Sequence, residues 1–479
     1  MGEEVIRRVR FSRGFYLTLL AILVIAGAGA LVLQRLTRKP TEWLYVPKKE
    51  VITAEILMLQ EYLRIDTTNP PGNEIAGARF LVERLREGGV EPEIIESAPG
   101  RANVYARIRG TTPGEGLMLL NHIDVVPADP AGWSFPPFAG TIARNQLWGR
   151  GALDMKSIGI AHLSAFVQVA RSGRRPDRDL VFLAVADEER GGKMGMGWLL
   201  ENRPDVIEGI RYAVNEGGVT ETIRNEIVYF GIEVGSSQVA RLAVHADERE
   251  TLERLRIDLE PLFDPAEPEA ILPEVREYFE GIAPQRLRHG DLLADIDQTI
   301  ERGLFGILHP SYRLLVATFV AAGGIRDRDG GGASLAVQLA TLPGTDPTSR
   351  IEEFVHGLES RYPVRVKTTY TPERAPLSST KTPFFRELTA AIRRHHPGVR
   401  TGPLVMTSIA TDSRFLRARG IDAYGFWPYP VDYFQTQGIH GVDERVRLDW
   451  FQDGVRLTQE LVDAWIYRRG ERPPGGRPE

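Results

Sequence analysis

The apolar run Leu180-Val-Phe-Leu-Ala-Val-Ala186, closed by Asp187-Glu-Glu-Arg-Gly-Gly192, constrains the fold most. An unbroken apolar stretch of this length reads as a strand buried on both faces, as in a parallel sheet covered by helices. Open α/β sheets place their sites outside the carboxyl ends of such strands, so Glu188 and Glu189 fall where chemistry is expected. On extended backbone, adjacent side chains point to opposite sides. One carboxylate could then hold a metal while the other handles a proton.

The flanking pattern supports an α/β sheet. Helical spacing over Ile52–Tyr62, Ile75–Glu87, Ser157–Ser172 and Met194–Asn202 alternates with strand patterns over Glu93–Glu96, Val104–Ile108, Gly116–Asn121 and Tyr212–Asn215. Asp66–Gly72, with Pro70 and Pro71, is a loop by its turn chemistry. Near Phe230 the pattern changes. A half-exposed strand over Val239–Val244 precedes a charged amphipathic helix over Glu250–Leu262, with further strands expected at Ser311–Ala321 and Ala333–Leu342. This reads as an α+β insert spanning 231–346, between catalytic segments 50–230 and 347–467. A strand at Ile421–Phe426 and a last helix at Leu448–Tyr467 complete the second segment. The tail 468–479 is Pro, Gly and charge, a composition expected to be disordered.

At the N-terminus, Phe15 to Leu33 is uncharged and almost wholly apolar, about long enough to cross a bilayer as a helix. Arg7, Arg8, Arg10 and Arg13 precede it; Arg35, Arg38 and Lys39 follow. The expectation is a cytoplasmic segment 1–14, a single-pass signal-anchor at 15–33, a linker at 34–49 and a globular body outside, periplasmic or extracellular. The alternative is secretion after cleavage, because Ala26-Gly-Ala28 and Ala28-Gly-Ala30 have the small-x-small pattern. With no cysteine among 479 residues, any metal site must use His, Asp and Glu. The net charge of −5 gives no electrostatic case for nucleic acid.

Acidic or His-bearing loops follow several predicted strands: His122-Ile-Asp124, Asp187-Glu-Glu189 and Glu216, with Asp154 and, far downstream, His440 as further candidates. Imidazole and carboxylate suit zinc and similar divalent ions. A pair of ions needs a bridging carboxylate and terminal ligands on each side. Taken singly, each residue has an ordinary reading; Asp154 could cap the helix that follows it.

The flanking residues carry a resemblance. Asn121-His-Ile-Asp-Val-Val-Pro127, Trp133 with Pro137-Phe138, Gly149-Arg-Gly-Ala-Leu-Asp-Met-Lys156, Asp187–Gly192, Asn215-Glu-Gly-Gly218, Thr411-Asp-Ser-Arg414 and His440-Gly-Val-Asp-Glu-Arg445 occur in this order. The chain resembles the M20 family of di-zinc metallopeptidases and amidohydrolases, over about residues 50–230 and 350–465. That family includes the aminoacylases, and the nearest likeness within it is to the membrane-anchored carboxypeptidase S and N-acyl-amino-acid hydrolase branch. The resemblance implies a zinc-peptidase-like catalytic domain with a mostly parallel sheet, plus an inserted lid that often forms a homodimer. It implies two Zn²⁺ ions, with Co²⁺ or Mn²⁺ as substitutes. Asp154 would bridge them, His122 and Glu216 would complete one site, and Glu189 and His440 the other. Glu188 would be the general base acting on metal-activated water. Asp124 would orient the His122 imidazole, and Arg414 would pair with a substrate carboxylate. The implied reaction is hydrolysis of an amide in a peptide or N-acyl amino acid.

The insert departs from the family. Lids of this kind carry a Pro-Gly-His motif after their first strand and an Asp-x-Arg strand later. Here His245-Ala-Asp-Glu-Arg249 runs straight into a charged helix, and Gln338-x-Ala340 stands in place of Asp-x-Arg. Arg326 or Arg328 would have to take over the lid's contacts. The second reading is therefore a weak or inactive metal-binding ectodomain that acts as a binding or scaffold protein.

Overall fold

A computed structural model describes residues 51–223, 226–285, 289–407, 410–431 and 438–467. Segments 1–14 and 34–49, the apolar run 15–33 and the tail 468–479 lie outside them. Among the described residues, no helix is long and apolar enough to cross a membrane.

The strands, in chain order, are β1 (Glu93–Ala98), β2 (Arg101–Ile108), β3 (Gly116–His122), β4 (Thr141–Ala143), β5 (Gln146–Trp148), β6 (Leu180–Val185), β7 (Ile210–Asn215), β8 (Thr220–Ile223), β9 (Glu226–Ser236), β10 (Gln238–Ala246), β11 (Phe319–Asp327), β12 (Ala333–Thr341), β13 (Arg365–Tyr370), β14 (Arg400–Met406), β15 (Asp422–Gly425) and β16 (Arg445–Arg447). The large sheet has the order β1-β2-β6-β3-β7-β15-β9-β14, with β8 beside β9.

This sheet is mixed, where the sequence led us to expect a mostly parallel one. Strands β6, β3, β7 and β15 run parallel, and β9 runs parallel to β14. The pairs β1–β2, β2–β6, β15–β9 and β8–β9 are antiparallel. The β1–β2 connection is a tight turn through Gly100 at φ +81°, and a turn that short permits only antiparallel pairing. In the parallel centre the apolar runs behave as predicted. Leu180, Phe182 and Ala184 of β6 enter the core on one face, and Val181, Leu183 and Val185 the core on the other. Helices Lys156–Arg171 and Leu448–Ile466 pack together on the first face.

A second sheet, β11-β12-β10-β13, is wholly antiparallel. Alternate residues of β10 (Ala240, Leu242, Val244) meet Leu252 and Leu255 of helix Arg249–Leu259, and Ile351 and Leu358 of helix Pro347–Arg361, in a separate core. Two boundaries differ from those the sequence suggests. The small sheet extends past residue 346, because β13 supplies its edge. Within the insert, Val275, Phe279, Ile282, Phe305 and Val316 share the core of the large sheet instead. The strand expected at Ser311–Ala321 begins only at Phe319: Pro310 at the first helical position, with His309 capping Ser311 N–H, starts a short helix there.

Candidate metal centre

Three parallel strands deliver the acidic loops to one end of the large sheet. β3 ends at His122, which lies in register with Val185 of β6, and β7 ends at Asn215, just before Glu216. The backbone after β6 is not extended. Asp187 takes a left-handed conformation (φ +69°), and Glu188–Arg190 form a 3-10 turn. The separation of the two glutamates therefore comes from a reversal of the chain and not from strand alternation. After Glu216 the chain needs glycine: at Gly218 (φ +81°) a Cβ would lie 2.3 Å from the Gly231 carbonyl.

The predicted ligands converge into two trios, His122–Asp154–Glu216 and Asp154–Glu189–His440. Within each trio one donor atom per residue lies within 4.8 Å of the others. Asp154 belongs to both. Its Oδ1 is 3.0 Å from His122 Nε2 and its Oδ2 is 3.0 Å from His440 Nε2. Glu216 Oε1 is 3.6 Å from His122 Nε2, and Glu189 Oε2 is 3.1 Å from His440 Nε2. His122 is buried, whereas His440, itself in a left-handed conformation (φ +59°), is half exposed at the mouth.

The electrostatics suit cations. Burial, followed by repulsion from Asp154, raises Glu216 to about 8 and Glu189 to about 7. Burial also pushes Glu188 well above the usual carboxylate range, with Glu216 the next contributor. Burial alone would raise Asp154, but hydrogen bonds from His122 and His440 hold it well below its ordinary value. Hydrogen bonds to Asp154 and Glu189 raise His440 to about 11. Glu189 Oε1 is buried with no hydrogen-bond partner. A donor set of imidazole and carboxylate, with one carboxylate shared and one buried oxygen unpaired, fits a pair of divalent ions.

Asp124 lies beside the His122 imidazole and has further partners. Its carboxylate stands 3.6 Å from His122 Nδ1, while its own backbone carbonyl takes that nitrogen at 2.8 Å. The carboxylate accepts the backbone N–H groups of Glu188 (3.1 Å) and Glu189 (3.3 Å), and Asn69 Nδ2 at 2.9 Å. Asn69 also donates to Asp187 (3.0 Å), which in turn accepts from Arg101 (2.8 Å). Asn69 was legible only as a turn residue; no local pattern announces a bond spanning from residue 69 to residue 187.

Arg414 is buried. It donates to the carbonyls of Ala410 (3.0 Å) and Gly191 (3.1 Å), and its Nε has no partner. It lines a cleft with Ser236–Val239 and Tyr370, where the small sheet joins the large one. In the small sheet, His245 lies between Ser334 and Arg365, while Gln338 lies opposite Arg241.

Comparison with known proteins places this geometry. Residues 118–464 match the profile of Peptidase family M20/M25/M40. The chain is similar to aminoacylase-1 of Sus scrofa, with 26% identity over 419 residues, covering 85% of this chain and 94% of that protein. It is similar to a probable carboxypeptidase S-like 2 of Dictyostelium discoideum, with 26% identity over 388 residues, 72% of this chain and 71% of that one. An M20 family metallo-carboxypeptidase from Sulfolobus solfataricus shares the fold, with a TM-score of 0.66 and 17% identity over 86% of this chain and 99% of that chain. A match across most of the chain, with the aligned segment containing every residue of both trios, makes this protein a member of Peptidase family M20/M25/M40.

Proposed function

We propose that this chain hydrolyses an amide bond next to a free carboxylate, in a peptide or an N-acyl amino acid, with two divalent ions (zinc, or cobalt or manganese in its place). One observation carries the reading: the two oxygens of Asp154 each face a different imidazole at 3.0 Å, the arrangement of a carboxylate shared between two ions. Asp154 would bridge, His122 and Glu216 would complete one ion's shell, and Glu189 and His440 the other's. When bound, such a pair supplies Lewis acidity toward the carbonyl and lowers the pKa of water.

The remaining chemistry belongs to the chain. Glu188 is the proton carrier, taking a proton from the attacking water and returning it to the leaving amine. Burial raises its pKa, which suits a group that must both accept and release a proton near neutrality. Asp124 fixes the Glu188–Glu189 turn through two backbone N–H groups. Arg414, which lines the cleft beside Tyr370, is the guanidinium that would pair with the substrate carboxylate. The similarity to aminoacylase-1 favours N-acyl amino acids within the substrate class.

Turnover of dipeptides and N-acyl amino acids by the zinc-loaded full chain, compared with Glu188→Gln, tests the reading. Zinc-dependent release of amine by wild type and its loss in the variant are expected. A wild type that binds two ions per chain and turns over nothing in the panel would favour the metal-binding scaffold instead.

A further inference from the structure

A second buried carboxylate lies behind the trios and contributes no atom to either. Glu444 is 1% exposed and stands between the His440 turn and strand β16. Its Oε1 accepts the backbone N–H of Leu153 (2.7 Å) and of Asp154 (3.0 Å); its Oε2 accepts that of Gly151 (3.1 Å). Arg150, 3% exposed, completes the arrangement: Nη1 meets Glu444 Oε2 at 2.6 Å and Nη2 donates to the Gly441 carbonyl at 2.9 Å. The Arg150 guanidinium also lies over the Trp133 ring at 5.3 Å. The sequence positions involved are far apart. They meet because β16 pairs with β5 in register, Arg445 opposite Trp148, which brings residue 444 against the turn that follows β5.

Consequently one carboxylate holds the amides of the turn that carries Asp154, and its arginine partner grips the residue after His440. Asp154 and His440 lie on segments that no common helix or strand ties together. The β5–β16 pairing and the Gly149 N–H donating to the Glu444 carbonyl (2.9 Å) bring these segments together, and the Glu444–Arg150 pair adds a side-chain link between them.

We propose that Glu444 and Arg150 are positioning residues for metal binding: they lock the shared ligand Asp154 to the His440 turn, so that the His440 trio is pre-formed before an ion arrives. The proposal rests on the two-ion reading above. A carboxylate with three amide donors and a guanidinium donor has no isosteric neutral substitute, since the amide group of glutamine would turn N–H groups toward donors. Outer partners of metal ligands are worth about 10–100-fold in metal affinity.

The test is zinc titration of the chelator-stripped full chain by calorimetry, with zinc content after dialysis as a second measure. Glu444→Gln is expected to weaken both ions, because Asp154 serves both. Arg150→Lys keeps the positive charge but lacks the second arm to Gly441, and is expected to weaken one ion about 10-fold or more while the other binds as in wild type. Thermal unfolding of the stripped proteins controls for folding; if Glu444→Gln does not fold, Arg150→Lys decides alone. Two ions bound by folded Arg150→Lys with wild-type affinity would overturn the proposal. Wild-type protein that binds no zinc would instead remove the two-ion reading on which it rests.

Discussion

The carboxylate of Asp124 accepts the backbone N–H of Glu188 at 3.1 Å, and so holds the proposed proton carrier by its main chain rather than by its side chain. Replacing Asp124 by Asn leaves one acceptor oxygen for three donors and turns an NH₂ toward them. We expect Asp124→Asn to lower kcat about 10–100-fold, in line with other outer partners of metal ligands, with KM nearly unchanged. Asn69→Ala should give a smaller loss in kcat alone. Steady-state kinetics of the zinc-loaded variants measure both.

Glu188→Gln keeps the shape and removes the proposed base. General acid–base catalysis contributes about 10²–10⁴-fold, and a loss of that size is expected with zinc content unchanged. Metal analysis alongside turnover separates this result from loss of the ions.

Asp154 belongs to both trios and each of the other candidate ligands to one. Asp154→Ala is therefore expected to lose both ions, whereas Glu216→Ala and His440→Ala each lose one. Zinc content per chain after dialysis reads the difference. Equal losses in all three would contradict a bridging Asp154.

Arg414 donates to two backbone carbonyls and lines the cleft beside Tyr370, where we assign it to the substrate carboxylate. A hydrogen bond to a charged group is worth about 1.5–3 kcal/mol, or about 10–100-fold in affinity. Arg414→Lys should raise KM by that factor for carboxylate substrates and leave turnover of the matching amides unchanged.

His162, which belongs to neither trio, supplies a pH dependence of its own. It is fully buried on helix Lys156–Arg171, where burial lowers it to about 3 despite a hydrogen bond to the Leu120 backbone. The unfolded chain binds a proton below about 6.5 that the folded chain refuses. Stability is therefore complete above that pH and is lost as pH falls toward 3. The effect amounts to up to about 5 kcal/mol at 1.36 kcal/mol per pKa unit. In denaturant melts, His162→Gln should flatten this acid limb.

The strand ends were legible because a strand covered on both faces must be apolar throughout, and β3 and β6 are. The residues that follow them were therefore placed correctly at one end of the sheet. The candidate ligands were picked out by the wording of flanking residues, since spacing alone cannot bring His440 to Asp154. What stayed hidden depends on contacts across the fold. Asp187 adopts its left-handed conformation because Arg101, Asn69 and Met194 N–H hold its carboxylate from three directions. No window of sequence contains those partners. Residues 273–316 fell inside the expected insert 231–346 by chain position alone, and no helix was read there. Only the burial of Phe279 and Val316 assigns them to the large sheet.

That assignment changes how the small sheet is tethered. The chain enters it at Gln238, leaves after helix Arg249–Leu259, returns at Phe319 and leaves again after Tyr370. Four strands of chain therefore stitch it to the body, where a simple insertion would leave two. Between the middle pair, the Glu269 and Ala270 N–H groups both donate to the Val316 carbonyl, closing the return loop on itself. A door on two adjacent hinges can swing; a panel sewn along two separated seams can only slide or flex. Access to the candidate metal centre should accordingly be governed by small shearing of the Ser236–Val239 and Tyr370 seam beside Arg414.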